Sequence, residues 1–84
     1  MNSKLTQTQV FELVKNNILE ILPKTQADLI VPEQSLADLG ANSVDRMEIV
    51  TLSMEDLGVK IPLMSFARVF NIESLVEVLF TNQK

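Results

Sequence analysis

The stretch "DLGANSVDRMEIV", Asp38 to Val50, sets one of the chain's two glycines just ahead of Ala41-Asn42-Ser43 and then opens an amphipathic run. Asn and Ser are residue types that accept the first free amide hydrogens of a helix, and Asp45 and Glu48 in the opening turns suit the positive end of the helix dipole. The sequence therefore predicts a helix from Ser43 to about Leu57, with Asn42 or Ser43 as N-cap. Gly58 should end it, because glycine adopts the left-handed conformation that closes a helix.

On a helical wheel of about 100° per residue, this helix has two apolar faces. Ile49, Val50, Ser53 and Leu57 cluster on one side and are assigned to the core. Val44, Met47, Thr51 and Met54 fall largely on the other, interleaved with Glu48 and Glu55. Unpaired carboxylates are rarely buried, so the second face is expected to meet a partner rather than the core. Methionine suits such a surface because its unbranched thioether chain repacks easily.

Outward from this centre the chain divides at its prolines. Between Thr8 and Leu22, Val10, Val14, Ile18, Ile21 and Leu22 recur at helical spacing, Phe11 and Leu19 widen the stripe, and Pro23 stops it. From Lys24 to Asn42 no helical period persists, but Leu29, Ile30, Val31, Leu36 and Leu39 punctuate the segment. A connection this long is expected to be a loop pinned across the core; a lone strand in "ADLIVPEQS" would leave its backbone hydrogen bonds unmade. After Pro62, Met64 to Phe70 allows one or two helical turns. Asn71 then caps a last helix, Ile72 to about Asn82, with Ile72, Leu75, Val76 and Leu79 facing inward. The expected fold is all-α: one domain over residues 1–84, a small antiparallel four-helix bundle with three principal helices, a short third one and a long first loop.

Composition narrows the function. With 46% apolar residues the 84-residue chain is expected to fold, and with neither cysteine nor histidine it has no thiol nucleophile, no disulfide and no imidazole metal ligand. A net charge of −4 disfavours nucleic acid and anionic membrane, both polyanions, and favours basic protein surfaces. The opening "MNSKLTQTQ" lacks the apolar run of a signal peptide, and the expectation is a cytoplasmic monomer. Catalysis has few candidates: "ANSVD" lacks the Gly-x-Ser-x-Gly elbow, and so small a bundle offers little cleft in which to desolvate an acid. Ser43 is better placed as a point of attachment, since a phosphate joined there would lie near free backbone amides. The plain alternative is that Ser43 only caps the helix.

"DLGANSVDRMEIV" resembles the phosphopantetheine attachment motif of acyl carrier proteins, in which a Leu-Gly turn precedes an Asp-Ser-Leu at the start of the second helix. The resemblance covers the whole chain, including "VKIPLMSFARVFNIESLVEVL", which is similar to the family's third and fourth helices. It implies that Ser43 carries a 4′-phosphopantetheine arm, transferred from coenzyme A by a phosphopantetheinyl transferase. The arm's thiol then holds acyl groups as thioesters, and partner enzymes do the chemistry on a non-catalytic carrier. It also implies docking through Asn42, Val44, Arg46, Met47, Glu48, Met54, Glu55 and Asp56.

Two residues depart from the family pattern. Asn42 stands where Asp is usual, and Arg46 brings a positive charge near the attachment point. "GANSVDRMEI" looks most like discrete polyketide carriers, in particular donors of acetyl or malonyl units in β-branching cassettes. Their partners would be an acyltransferase, a ketosynthase-like decarboxylase and an HMG-CoA-synthase-like enzyme. A fatty-acid or peptidyl carrier would share most of these residues, and an unmodified helical adaptor would use Val44, Met47 and Met54 without needing Ser43.

Overall fold

A computed structural model describes residues 4–83; the ends of the expected 1–84 domain, residues 1–3 and Lys84, lie outside it. Three α-helices, α1 (Gln7–Ile21), α2 (Ser43–Leu57) and α3 (Ile72–Thr81), are joined through single 3-10 turns at Ala27–Leu29 and Leu63–Phe66. There is no strand among the described residues, and no helix among them is long and apolar enough to cross a membrane.

Helix α1 packs on both α2 and α3. Its Val10, Val14 and Ile18, spaced four apart, are fully buried, and against them lie Ile49 of α2 and Ile72, Leu75 and Leu79 of α3. The predicted inward residues of the last helix, Ile72, Leu75, Val76 and Leu79, are all in this core. Val59 and Ile61, in the connection after Gly58, add two buried side chains that the helical periodicity could not point to. On α2, Ile49 and Ser53 are buried, whereas Val50 and Leu57 are only half-buried. Ser53 is the one buried polar side chain among the described residues: its hydroxyl donates to the Ile49 carbonyl at 2.8 Å and accepts from Asn17 Nδ2 at 3.0 Å. The α1–α2 contact thus keeps its polar group satisfied, as burial of a hydroxyl requires.

The first connection is pinned, though by fewer side chains than its sequence predicts. Ile30, Leu36 and Ala41 are buried and Leu39 is half-buried, but Leu29 and Val31 are exposed. The 3-10 turn Ala27–Leu29 ends at Ile30, whose own backbone is extended, and with Ile30 turned inward the residues on either side of it point outward. The other restraint is main chain: Ile72 and Glu73 N–H donate to the Gln34 and Pro32 carbonyls at 2.9 and 2.8 Å. These loop carbonyls satisfy amides of the first turn of α3 that the helix itself leaves unpaired.

The short third helix of the expected bundle is a single turn. Leu63–Phe66 is one 3-10 turn, and the bonds continue as i to i+3 steps from Ala67 N–H to Met64 O and Val69 N–H to Phe66 O. Pro62 at the N-cap makes no side-chain bond to the turn, Leu63 and Met64 are exposed, and only Phe66 and Val69 pack inward, too few contacts to hold a longer α-helical segment.

Each α-helix opens on a reciprocal capping box. In α1 it is Thr6 with Gln9, which starts the helix at Gln7, one residue before the expected start at Thr8. In α2 it is Asn42 with Asp45: Asn42 Oδ1 accepts from Asp45 N–H at 2.8 Å, and Asp45 Oδ2 accepts from Asn42 N–H at 3.2 Å. Asn42, not Ser43, is therefore the N-cap. Gly58 closes α2 in the left-handed region at φ 66°, as its position predicts.

Core and cap make separable predictions for chemical denaturation. Ile18→Ala should cost about 2–5 kcal/mol, the usual range for a buried aliphatic truncation, whereas Val31→Ala should stay within about 0.5 kcal/mol. Asn42→Ala should cost about 0.5–2 kcal/mol and Asn42→Asp should recover most of it, because a carboxylate can accept the same bond. Ser43→Ala should change stability by less than about 0.5 kcal/mol, since its hydroxyl caps nothing.

Candidate functional site

The approach to Ser43 is a tight turn. Gly40 and Ala41 N–H donate to the Ala37 and Leu36 carbonyls, each at 3.0 Å, and Gly40 has φ 98°, which favours glycine because a side chain there would strain the backbone. Burial of Leu36 and Ala41 on either side fixes the turn to the core. Helix α2 then begins with Ser43 as its first residue, exposed to solvent.

Because the Asn42–Asp45 box is complete, the Ser43 hydroxyl is left for other use. Among the described residues its side-chain contact is with Arg46, whose Nη2 donates to Ser43 Oγ at 3.4 Å. The box uses the Asn42 and Asp45 amides, and Arg46 N–H bonds the Asn42 carbonyl at 2.9 Å. The amides of Ser43 and Val44, between them, donate to no acceptor among the described residues. An exposed hydroxyl beside unpaired N–H donors and a guanidinium is a donor set that fits a phosphodiester joined to that hydroxyl.

Ser43 borders two depressions. One is an open cleft of about 620 Å³, bounded by Arg46, Met47 and Val50 of α2 on one side and by Leu63, Phe66 and Phe70 on the other. The second, of about 470 Å³, lies on the outer face of α2 among Val44, Met47, Glu48, Thr51 and Glu55. Val44 and Met47 are 66% and 46% exposed, so the second apolar face of the helix is open to solvent as its acidic neighbours required.

Not all the expected docking residues share that face. Met54 is half-buried against the core, and it borders a different depression near Gly58 and Ile61. Asp56 lies toward α1 and accepts from Asn17 Nδ2 at 3.1 Å. A wheel drawn for α2 alone cannot show where α1 and the residues after Gly58 come to rest. The sequence alone assigned no place to Leu63, Met64 and Phe70, whose apolar side chains are exposed. Their signal was Pro62 followed by a run too short to bury a full face.

The comparisons agree with this arrangement. Residues 12–79 match the family model described as "phosphopantetheine attachment site". The chain is 43% identical over 76 residues to the polyketide biosynthesis acyl-carrier-protein AcpK of Bacillus subtilis (strain 168), covering 90% of this chain and 93% of that protein. It also superposes, at a TM-score of 0.79 and 32% identity over 92% of its length, on 99% of a chain in the crystal structure of the curacin biosynthetic pathway HMG synthase in complex with acetyl donor-ACP. With most of its length matched to the family model, its helices matched to a solved relative and a free serine at the head of α2, the chain belongs to the phosphopantetheine-dependent acyl carrier proteins, whose prosthetic group is 4′-phosphopantetheine.

Proposed function

We propose that Ser43 carries the 4′-phosphopantetheine arm and that the loaded chain is a polyketide carrier, donating acetyl or malonyl-derived units in β-branching. The observation that carries the assignment of Ser43 is its hydroxyl, exposed at the first turn of α2 and relieved of capping by Asn42. The pathway is supported by the relatives: one is named for polyketide biosynthesis, and the other is a chain of similar length from a complex of an HMG synthase with an acetyl donor-ACP. When bound, the arm supplies a thiol that holds acyl groups as thioesters, chemistry that a chain without cysteine cannot supply.

The chain's own residues present that group. Asn42 and Asp45 hold the start of α2 so that Ser43 faces outward, and the Gly40 turn anchored by Leu36 and Ala41 fixes where it stands. The outer face supplies an apolar patch from Val44 and Met47, edged by Glu48 and Glu55, which fits a basic and apolar recess on a partner enzyme. Met54 and Asp56 contribute less to docking because both turn toward the rest of the domain. Partners of this kind include the phosphopantetheinyl transferase, an acyltransferase, a ketosynthase-like decarboxylase and an HMG-synthase-like enzyme.

Incubation with coenzyme A and a promiscuous transferase should add one arm to the wild type and none to Ser43→Ala, read by intact mass. A folded wild-type chain left unmodified by several transferases would falsify the assignment. Glu48→Lys should leave arm attachment possible while raising KM for a basic partner roughly fivefold, equivalent to about 1 kcal/mol, at low salt. The difference should shrink as salt rises; a KM indifferent to both the substitution and salt rules out electrostatic docking through Glu48.

A further inference from the structure

Arg46 has no evident task in holding the fold. It is exposed, and its side-chain hydrogen bond among the described residues is the one to Ser43 Oγ at 3.4 Å. Three residues on from Ser43, it shares that residue's side of α2. The carboxylate nearest in sequence, Asp45, is engaged with the Asn42 backbone in the capping box.

The two depressions bordering Ser43 differ in charge. Arg46 lines the cleft toward Phe66 and Phe70 and does not line the outer depression. Glu48 and Glu55 line the outer depression and not the cleft. A group leaving Ser43 Oγ therefore starts between a cation on one route and two carboxylates on the other.

We infer that Arg46 is a positioning residue for the arm: its guanidinium binds the phosphodiester on Ser43 and turns the arm into the cleft between α2 and the 63–70 segment, away from the acidic outer face. This rests on Ser43 being the attachment residue. The non-bridging phosphate oxygens are bonded to the phosphorus that Ser43 Oγ carries, next to the atom Arg46 already contacts. A guanidinium offers such an anion two parallel N–H donors, a stronger contact than the present one to a neutral hydroxyl. The carboxylates of Glu48 and Glu55 repel the same charge. The arm's first segment then runs over Val50, Phe66 and Phe70, which leaves Val44, Glu48 and Glu55 clear for a partner, with Met47 on the ridge between the two depressions. Arg46 in this way separates the surface that holds the arm from the surface that docks.

The test uses the full chain in unmodified and arm-loaded forms, with loading on Ser43 established first by intact mass and peptide mapping. The chain has two arginines, Arg46 and Arg68, so their Nε–Hε signals can be assigned with a single Arg46→Gln variant. Loading should move the Arg46 signal and leave that of Arg68 in place, and should perturb Val50, Phe66 and Phe70 more than Val44 and Glu48. In Arg46→Gln the perturbation at Val50, Phe66 and Phe70 should fall by about half or more, and Arg46→Lys should restore part of it, as expected when charge is kept but the fork is lost. Raising salt to about 0.5 M should bring the wild type toward Arg46→Gln, since screening shortens to a few ångströms. An Arg46 signal unmoved by loading, or an unchanged pattern in loaded Arg46→Gln, overturns the inference while leaving Ser43 as the attachment residue. A chain that takes no arm at Ser43 overturns both.

Discussion

The reciprocal bond between Asn42 and Asp45 decides what the centre of this molecule can do. A helix must satisfy its first amide hydrogens, and in many proteins the serine or threonine at its head is consumed in doing so. Here the amide oxygen of Asn42 takes that role at 2.8 Å, and Asp45 returns a bond to the Asn42 amide. Ser43 is thereby shifted one place into the helix, where its hydroxyl faces solvent and Arg46. A capping serine would have had to exchange a structural bond for a covalent one on modification. This one need not, so attachment and stability are uncoupled at the residue that the function requires.

Placement of that start depends on a core built around α1. Val10, Val14 and Ile18 bury one face against both α2 and α3, so α1 sets the two other helices relative to each other. The first connection is held by Ile30, Leu36 and Ala41 and by main-chain bonds into the head of α3. The heads of α2 and α3 carry the same kind of capping box but are finished differently. At α3 the next two amides go to Gln34 and Pro32, which ties the loop down. At α2 the corresponding amides, of Ser43 and Val44, stay open beside the serine. One end anchors the chain and the other offers it to a substituent.

Much of this was legible in the sequence, for local reasons. Both ends of α2 came out as predicted, from Ser43 to Leu57, because Asn before the helix and Gly after it act through their own backbone geometry. The inward residues of α3 were legible because their spacing leaves one helical face for burial. The exposed acids on α2 identified its outer face through the cost of burying charge. The choice between Asn42 and Ser43 as cap was not legible: both side chains are competent, and the exchange with Asp45 is a matter of where the chain enters the helix. Leu29 and Val31 were read as anchors on their apolar character alone; Ile30, extended after the Ala27–Leu29 turn, takes the inward position, and both its neighbours face outward.

By itself, the sequence determined three helices, the closing Gly58 and the Asn71 cap, an aliphatic core and a serine at the head of a two-faced helix, because each of these follows from interactions between residues a few places apart. Tertiary structure decided that Met54 and Asp56 leave the outer face, since the residues after Gly58 and helix α1 come to lie beside them. It also decided that Leu63–Phe66 stays a single turn with exposed apolar side chains, and that these face Arg46 and Val50 across an open cleft. Spacing along one helix fixes directions around its own axis; which neighbour meets each direction is set only when distant segments pack together.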